Sequence, residues 1–290
     1  MANKNATFSK KTFDAVIREN LEAVIGFNAF GYVTEHRSIY PNYYTADAFA
    51  KFKEEMFRKR PDAYTAYNDG AGQELGNKKD CGQTPPKMAS VASSSRFCYL
   101  AFADDPDITF ECDCPIEGVS HAAAQLDAFS AVKNCFIEVK CHEIFDEHEI
   151  VMSGAYADWL YDRDDGFHIP GKSPENRKEK IRLPRTLFGL NQDHSMFDVK
   201  QFLCHLLAIA SKKPDGAELQ YLFFKPVTSG PCQADLDSVF LALKDQIFKV
   251  FSSAPIAGFC RRHQIALSAI AEEEKVMCAL SGAKQLILYP

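Results

Sequence analysis

Asp127-Ala-Phe-Ser-Ala-Val-Lys-Asn-Cys-Phe-Ile-Glu138-Val-Lys140 reads as two short strands joined by a turn at Lys133-Asn134. The flanking runs 123–131 and 135–142 are rich in apolar and β-prone residues, and both carry charge. Side chains alternate along a strand, so Ile137 and Val139 point into a core while Glu138, Lys140 and His142 share the opposite face. On the partner strand Gln125, Asp127 and Phe129 share a face. If the two polar faces coincide, Asp127 and Glu138 converge on one point. Carboxylate oxygens are the donors that a hard cation such as Mg²⁺ selects. A lysine beside them can orient water or offset charge on a phosphoryl group. Spacing alone also fits a solvated Glu-x-Lys face. The apolar neighbours Phe136, Ile137 and Val139 argue that the charges sit close to a core and require partners.

Outward from the hairpin, residues 89–103 lack Pro and Gly and read as a helix. Residues 108–116 alternate, with Phe110, Cys112 and Cys114 facing one way and Glu111 and Asp113 the other. Residues 198–211 are helical, 218–226 form a strand closed by Pro226, and 233–252 form an amphipathic helix. Short strands follow near 264–270 and 284–289, with a helical turn between them. Before residue 89, helices are expected at 9–25 and at 45–60, the latter with Thr45 as N-cap and Phe49, Phe52, Met56 and Phe57 on one side. Pro61 is expected to stop that helix, and the Gly, Asp, Asn and Pro content of 61–87 reads as a long loop. The chain thus reads as an α/β protein, with a helical extension over 1–88 and a mixed core over 89–290 that together are expected to form one continuous domain.

Composition narrows the function. A 290-residue chain with 46% hydrophobic residues supports a sizeable core. A net charge of −6 argues against a non-specific DNA coat protein but leaves room for a local basic patch. The N-terminus lacks the apolar run of a secretory signal, and no apolar stretch is long enough to span a bilayer. Ten irregularly spaced cysteines read as reduced thiols, which points to the cytoplasm. Cys112-x-Cys114 and Cys141-His142 lie in strand-like runs unlike the turn-borne spacing of zinc sites. Adjacent strand residues point oppositely, so His142 is no base for a Cys141 nucleophile. The segment 171–185 holds six basic and two acidic residues: Lys172, Arg177, Lys178, Lys180, Arg182 and Arg185 are candidate phosphate contacts.

Asp127, followed by Ile137-Glu138-Val139-Lys140, resembles the metal-binding motif of the PD-(D/E)XK nuclease superfamily. The order helix, strand, strand, strand, helix, strand over 89–226 is similar to that superfamily's restriction-endonuclease-like core, a mixed sheet flanked by helices. The strings Lys87-Met-Ala-Ser-Val-Ala-Ser-Ser-Ser-Arg-Phe-Cys-Tyr-Leu and Phe136-Ile-Glu-Val-Lys-Cys-His-Glu-Ile-Phe look like an uncharacterised bacterial family within it. The resemblance implies a nuclease acting on DNA with Mg²⁺, for which Mn²⁺ can substitute. It implies Asp127, Glu138 and the backbone carbonyl of Val139 as metal ligands and Lys140 as the group assisting water. Gln201 looks like a polar residue that several branches place beside the active site, and His205 lies on the same helical face. Leu126 stands where the motif has proline. The glutamate that many members carry on the first core helix is missing, and Glu111 or Glu74 is the expected substitute. The same gap keeps open an alternative, a catalytically silent fold that binds nucleic acid or protein.

Overall fold

A computed structural model describes residues 8–70, 72–76, 84–119, 123–191, 195–274 and 284–290. Helix α1 (Lys10–Ile25) starts at Ser9, whose hydroxyl accepts from the Thr12 amide, and buries Phe13, Val16, Ile17 and Leu21. A hairpin of β1 (Phe30–Val33) and β2 (Ile39–Tyr44), not expected from the sequence, leads into α2 (Ala46–Lys59), which Thr45 caps as expected. Phe49 and Met56 are buried, but Phe57 is 58% exposed and rests edge-on against Tyr64. Phe57 lies one residue beyond Met56, about 100° round the helix, so it leaves the buried stripe.

Pro61 does not open a long loop. It occupies the first turn of α3 (Pro61–Asp69), where a missing amide costs nothing. The expected 89–103 helix is shorter: α4 (Ser94–Phe102) begins after Ser93, which caps it by accepting from the Arg96 amide. Then follow β3 (Ile108–Pro115), β4 (Ala123–Ser130) and β5 (Cys135–Lys140). Between β5 and the next helix lies an insertion carrying the antiparallel pair β6 (Val151–Ser153) and β7 (Lys180–Arg182). Helix α5 (Val199–Lys212), β8 (Ala217–Pro226), α6 (Gly230–Ser252), α7 (Ala254–Arg262), β9 (Ile265–Glu274) and β10 (Lys284–Tyr289) complete the chain. Helix α7 was not expected. The helical turn expected between the last two strands falls at 275–283, outside the described residues.

Six strands form one mixed sheet in the order β10-β9-β8-β5-β4-β3. Neighbours β5, β8 and β9 are parallel, and the other pairs are antiparallel. Parallel neighbours require a crossover, which α5 supplies between β5 and β8. The central strand β8 is buried without a break from Tyr221 to Pro226, as a strand covered on both faces must be. The sheet is flanked by helices, and one contiguous set of buried apolar side chains runs from Phe8 to Leu288. Helix α1 is tied to the core by Lys10, 2.8 Å from Asp146, and by Asn20, which donates to the Val227 carbonyl.

The start of β8 depends on Gly216, which has φ +93°. A Cβ there would stand 2.6 Å from the Gln264 carbonyl oxygen. Gly216→Ala is therefore expected to destabilise the protein by at least about 1 kcal/mol, read as a lower denaturant midpoint at unchanged slope.

Candidate active site in a strand fork

β4 and β5 pair only from Ala128↔Ile137 to Ser130↔Cys135, although both continue beyond. Past that point the strands part. The Asp127 carboxylate spans the gap and accepts from the Val139 amide at 2.7 Å. Amide and carbonyl of one strand residue lie on the same edge, so the Val139 carbonyl also faces the fork. The two polar faces do coincide: Phe129 pairs with Phe136, their rings 4.5 Å apart, and Asp127 and Glu138 follow on the same side. Ile137 and Val139 are buried on the other face, as expected.

Glu138 is 3% exposed. Its Oε1 accepts from Lys140 Nζ at 2.7 Å and from Gln201 Nε2 at 3.2 Å, so α5 brings Gln201 to the site. Its Oε2 is buried with no hydrogen-bond partner, and the His205 Nε2 stands 3.8 Å away. His205 is itself buried, and its Nδ1 is 2.9 Å from the Tyr221 hydroxyl. Burial pulls the His205 pKa down against the opposing pull of Glu138, which keeps the ring neutral.

The acids crowd one another. Burial, and after it the charge of Glu138, holds the Asp127 pKa well above the usual carboxylate range. Glu111 occupies the register position opposite Asp127 and has φ +54°, an uncommon conformation for a non-glycine residue. Burial, then Glu74 and Glu138, push its pKa up to about 8. Burial works to lower the Lys140 pKa, yet Glu138, Glu143 and Asp127 raise it on balance. Lys140 is a firmly charged ammonium in a nest of carboxylates.

A cleft of about 950 Å³ opens over the fork. Asp127, Glu138, Lys140, Gln201 and His205 line it, as do Glu74 and Glu111. These seven candidate residues, drawn from five separate stretches of sequence, thus line one cleft. His142 departs from the expected face. The strand ends at Lys140, and a tight turn over His142–Phe145 carries the ring to Asp14, 2.8 Å from Nδ1.

The basic segment divides. Lys178 and Lys180 line the cleft. Arg177 pairs with Asp158 and Arg182 with Glu149, while Arg185 donates to the His148 carbonyl. Lys172 is exposed and does not line the cleft. Three further residues of the site were not singled out from the sequence. Lys200 lies in the first turn of α5, Tyr156 in the insertion, and Tyr221 opposite Glu138 in the parallel register. For Lys200 a signal existed, since it is the neighbour of Gln201. Tyr221 and Tyr156 had none.

Two carboxylates, one of them with a buried oxygen that has no hydrogen-bond partner, and a backbone carbonyl on the fork edge are hard-oxygen donors of the kind Mg²⁺ accepts. Among the described residues, no group of three His, Cys, Asp or Glu is arranged to hold a metal ion. Mg²⁺ keeps several waters, so fewer protein ligands suffice for it than for zinc. Among the described residues, no helix is long and apolar enough to cross a membrane. Comparison with protein-family models, with curated proteins and with solved structures returns no match for this chain.

Proposed function

We propose that this chain is a metal-dependent phosphodiesterase with a restriction-endonuclease-like core. More particularly, it is a nuclease of the PD-(D/E)XK type that hydrolyses DNA with Mg²⁺. The observation that carries the reading is the convergence of Asp127, Glu138 and Lys140 in the strand fork, with one Glu138 oxygen buried and unpartnered. In this reading Asp127, Glu138 and the Val139 carbonyl hold the ion. Bound there, a divalent cation supplies Lewis acidity toward a phosphoryl oxygen. Lys140 orients the attacking water and offsets charge developing on the phosphoryl group. Gln201 fixes the Glu138 carboxylate through Oε1, and the neutral His205, held by Tyr221, closes the site from α5. Glu111 takes the place of the missing helix glutamate.

A second reading, a silent fold that binds nucleic acid or protein without metal, has one observation in its favour. The Lys140 ammonium already neutralises Glu138 at 2.7 Å. Calorimetric titration with Mn²⁺ and a DNA cleavage assay separate the two. Wild-type protein is expected to bind Mn²⁺ and to cut DNA only with divalent metal. Asp127→Asn is expected to lose both while keeping its thermal midpoint, because an amide oxygen still accepts from the Val139 amide. Wild-type protein that binds no Mn²⁺ but still binds DNA sinks the first reading in favour of the second.

A further inference from the structure

The charges of the cleft come from separate elements. Beyond Lys140 in its floor, its lysines are Lys178 and Lys180 of the insertion and Lys200 of α5, which follows the cleft-lining Asp198. Lys180 begins β7, and the backbone of Arg177 and Glu179 packs against Gly154, which leads to Tyr156. Tyr156 interacts in turn with Cys204 of α5, the helix that carries Lys200. These residues form one wall. Glu74 and Glu111 line the cleft from other elements: Glu111 lies on β3 and approaches Gly70, and Glu74 is held by Lys87 at 3.1 Å. Among the described residues, no ion pair engages Lys178, Lys180 or Lys200, in contrast to the paired Arg177 and Arg182.

A duplex presents two phosphate backbones, with one negative charge per about 1.7 Å of helix axis. Its second strand would meet the carboxylates of Glu74, Glu111 and Asp198, which also line the cleft. The reacting groups also lie deep: Glu138 is 3% exposed, so a phosphate must descend into the cleft to reach it. Tyr156 is half-buried and lines the cleft beside these lysines, and an aromatic side chain there is a stacking partner for an unpaired base.

We infer that the cleft takes a single unpaired DNA strand, with its backbone along Lys178, Lys180 and Lys200 and a base stacked on Tyr156. This inference rests on the nuclease reading above. The test uses full-length Asp127→Asn protein and a fluorescein-labelled DNA oligonucleotide, either single-stranded or annealed to its complement, followed by anisotropy. The single strand is expected to bind at least about tenfold more tightly than the duplex. Adding Tyr156→Ala is expected to weaken single-strand binding about fivefold or more, and Tyr156→Phe to restore it. Adding Lys180→Ala should make the salt dependence of single-strand binding shallower by about 0.7 in log–log slope. Duplex binding as tight as single-strand binding, with wild-type protein still cutting DNA, overturns this inference and leaves the nuclease reading standing. If neither form is bound and wild-type protein cuts neither, both fall together.

Discussion

Lys140→Ala is expected to lower the free energy of unfolding by about 3 kcal/mol, in addition to slowing DNA cleavage by about a hundredfold or more. The stability cost follows from where Glu138 sits. Its side chain is 4% exposed, and its ion partner is Lys140 Nζ at 2.7 Å. Without that ammonium, Oε1 keeps only the Gln201 amide at 3.2 Å, and Oε2 has no hydrogen bond at all. A buried carboxylate stripped of its cation either stays charged at high cost or takes up a proton. The double variant Glu138→Gln with Lys140→Met removes both charges at similar volume. It is expected to recover most of the lost stability and none of the cleavage. Urea unfolding of the two variants beside wild type reads the first effect, and single-turnover cleavage reads the second. A Lys140→Ala protein that unfolds at the wild-type midpoint would mean that the pair is open to solvent.

The hairpin and its faces were legible because side-chain alternation is a local property, set by the strand period alone. The pairing of Phe129 with Phe136 then carried Asp127 and Glu138 to one side. The fork itself was not legible. It arises where the Asp127 carboxylate takes the Val139 amide, so that a side chain replaces a ladder bond. No pattern in the sequence marks where a ladder ends. His142 was misplaced for the same reason: period two was extended past Lys140 into a turn. Pro61 follows one helix and so suggests a stop, yet the same ring suits the first turn of another. The basic segment looked uniform because charge counts ignore partners. Asp158 and Glu149, which engage Arg177 and Arg182, are 19 and 33 residues away in the chain. Only Lys178 and Lys180 are left at the cleft, and Lys200 joins them from a helix read for its Gln and His alone.

Arg96→Ala is expected to cost about 4 kcal/mol, because two buried carbonyls lose their donors at once. Arg96 is 0% exposed and has no carboxylate partner among the described residues. Its Nη1 donates to the Met88 carbonyl at 3.1 Å and its Nη2 to the Val91 carbonyl at 2.7 Å, and the guanidinium lies 4.6 Å from the Tyr44 ring centre. Burial pulls its pKa down, but from so high a value that the group stays charged. The guanidinium thus fastens the turn before α4 to the first turn of that helix, and through Tyr44 to the β1–β2 hairpin. Arg96→Lys is expected to recover only part of the loss, since an ammonium lacks the planar fork that reaches both carbonyls. Urea unfolding gives the order wild type, then Lys, then Ala, and hydrogen exchange should quicken first at the amides of 88–97. The consequence reaches the site because Ser94 and Ser95, beside Arg96, line the cleft. Loosening this turn moves a wall of the cleft and leaves the Asp127–Glu138–Lys140 fork intact. The expected kinetic signature is a raised KM for DNA with kcat little changed, the reverse of what Lys140→Ala does. Full stability in Arg96→Lys would show that one donor is enough for the turn, and the coupling between Arg96 and the cleft wall would fail with it.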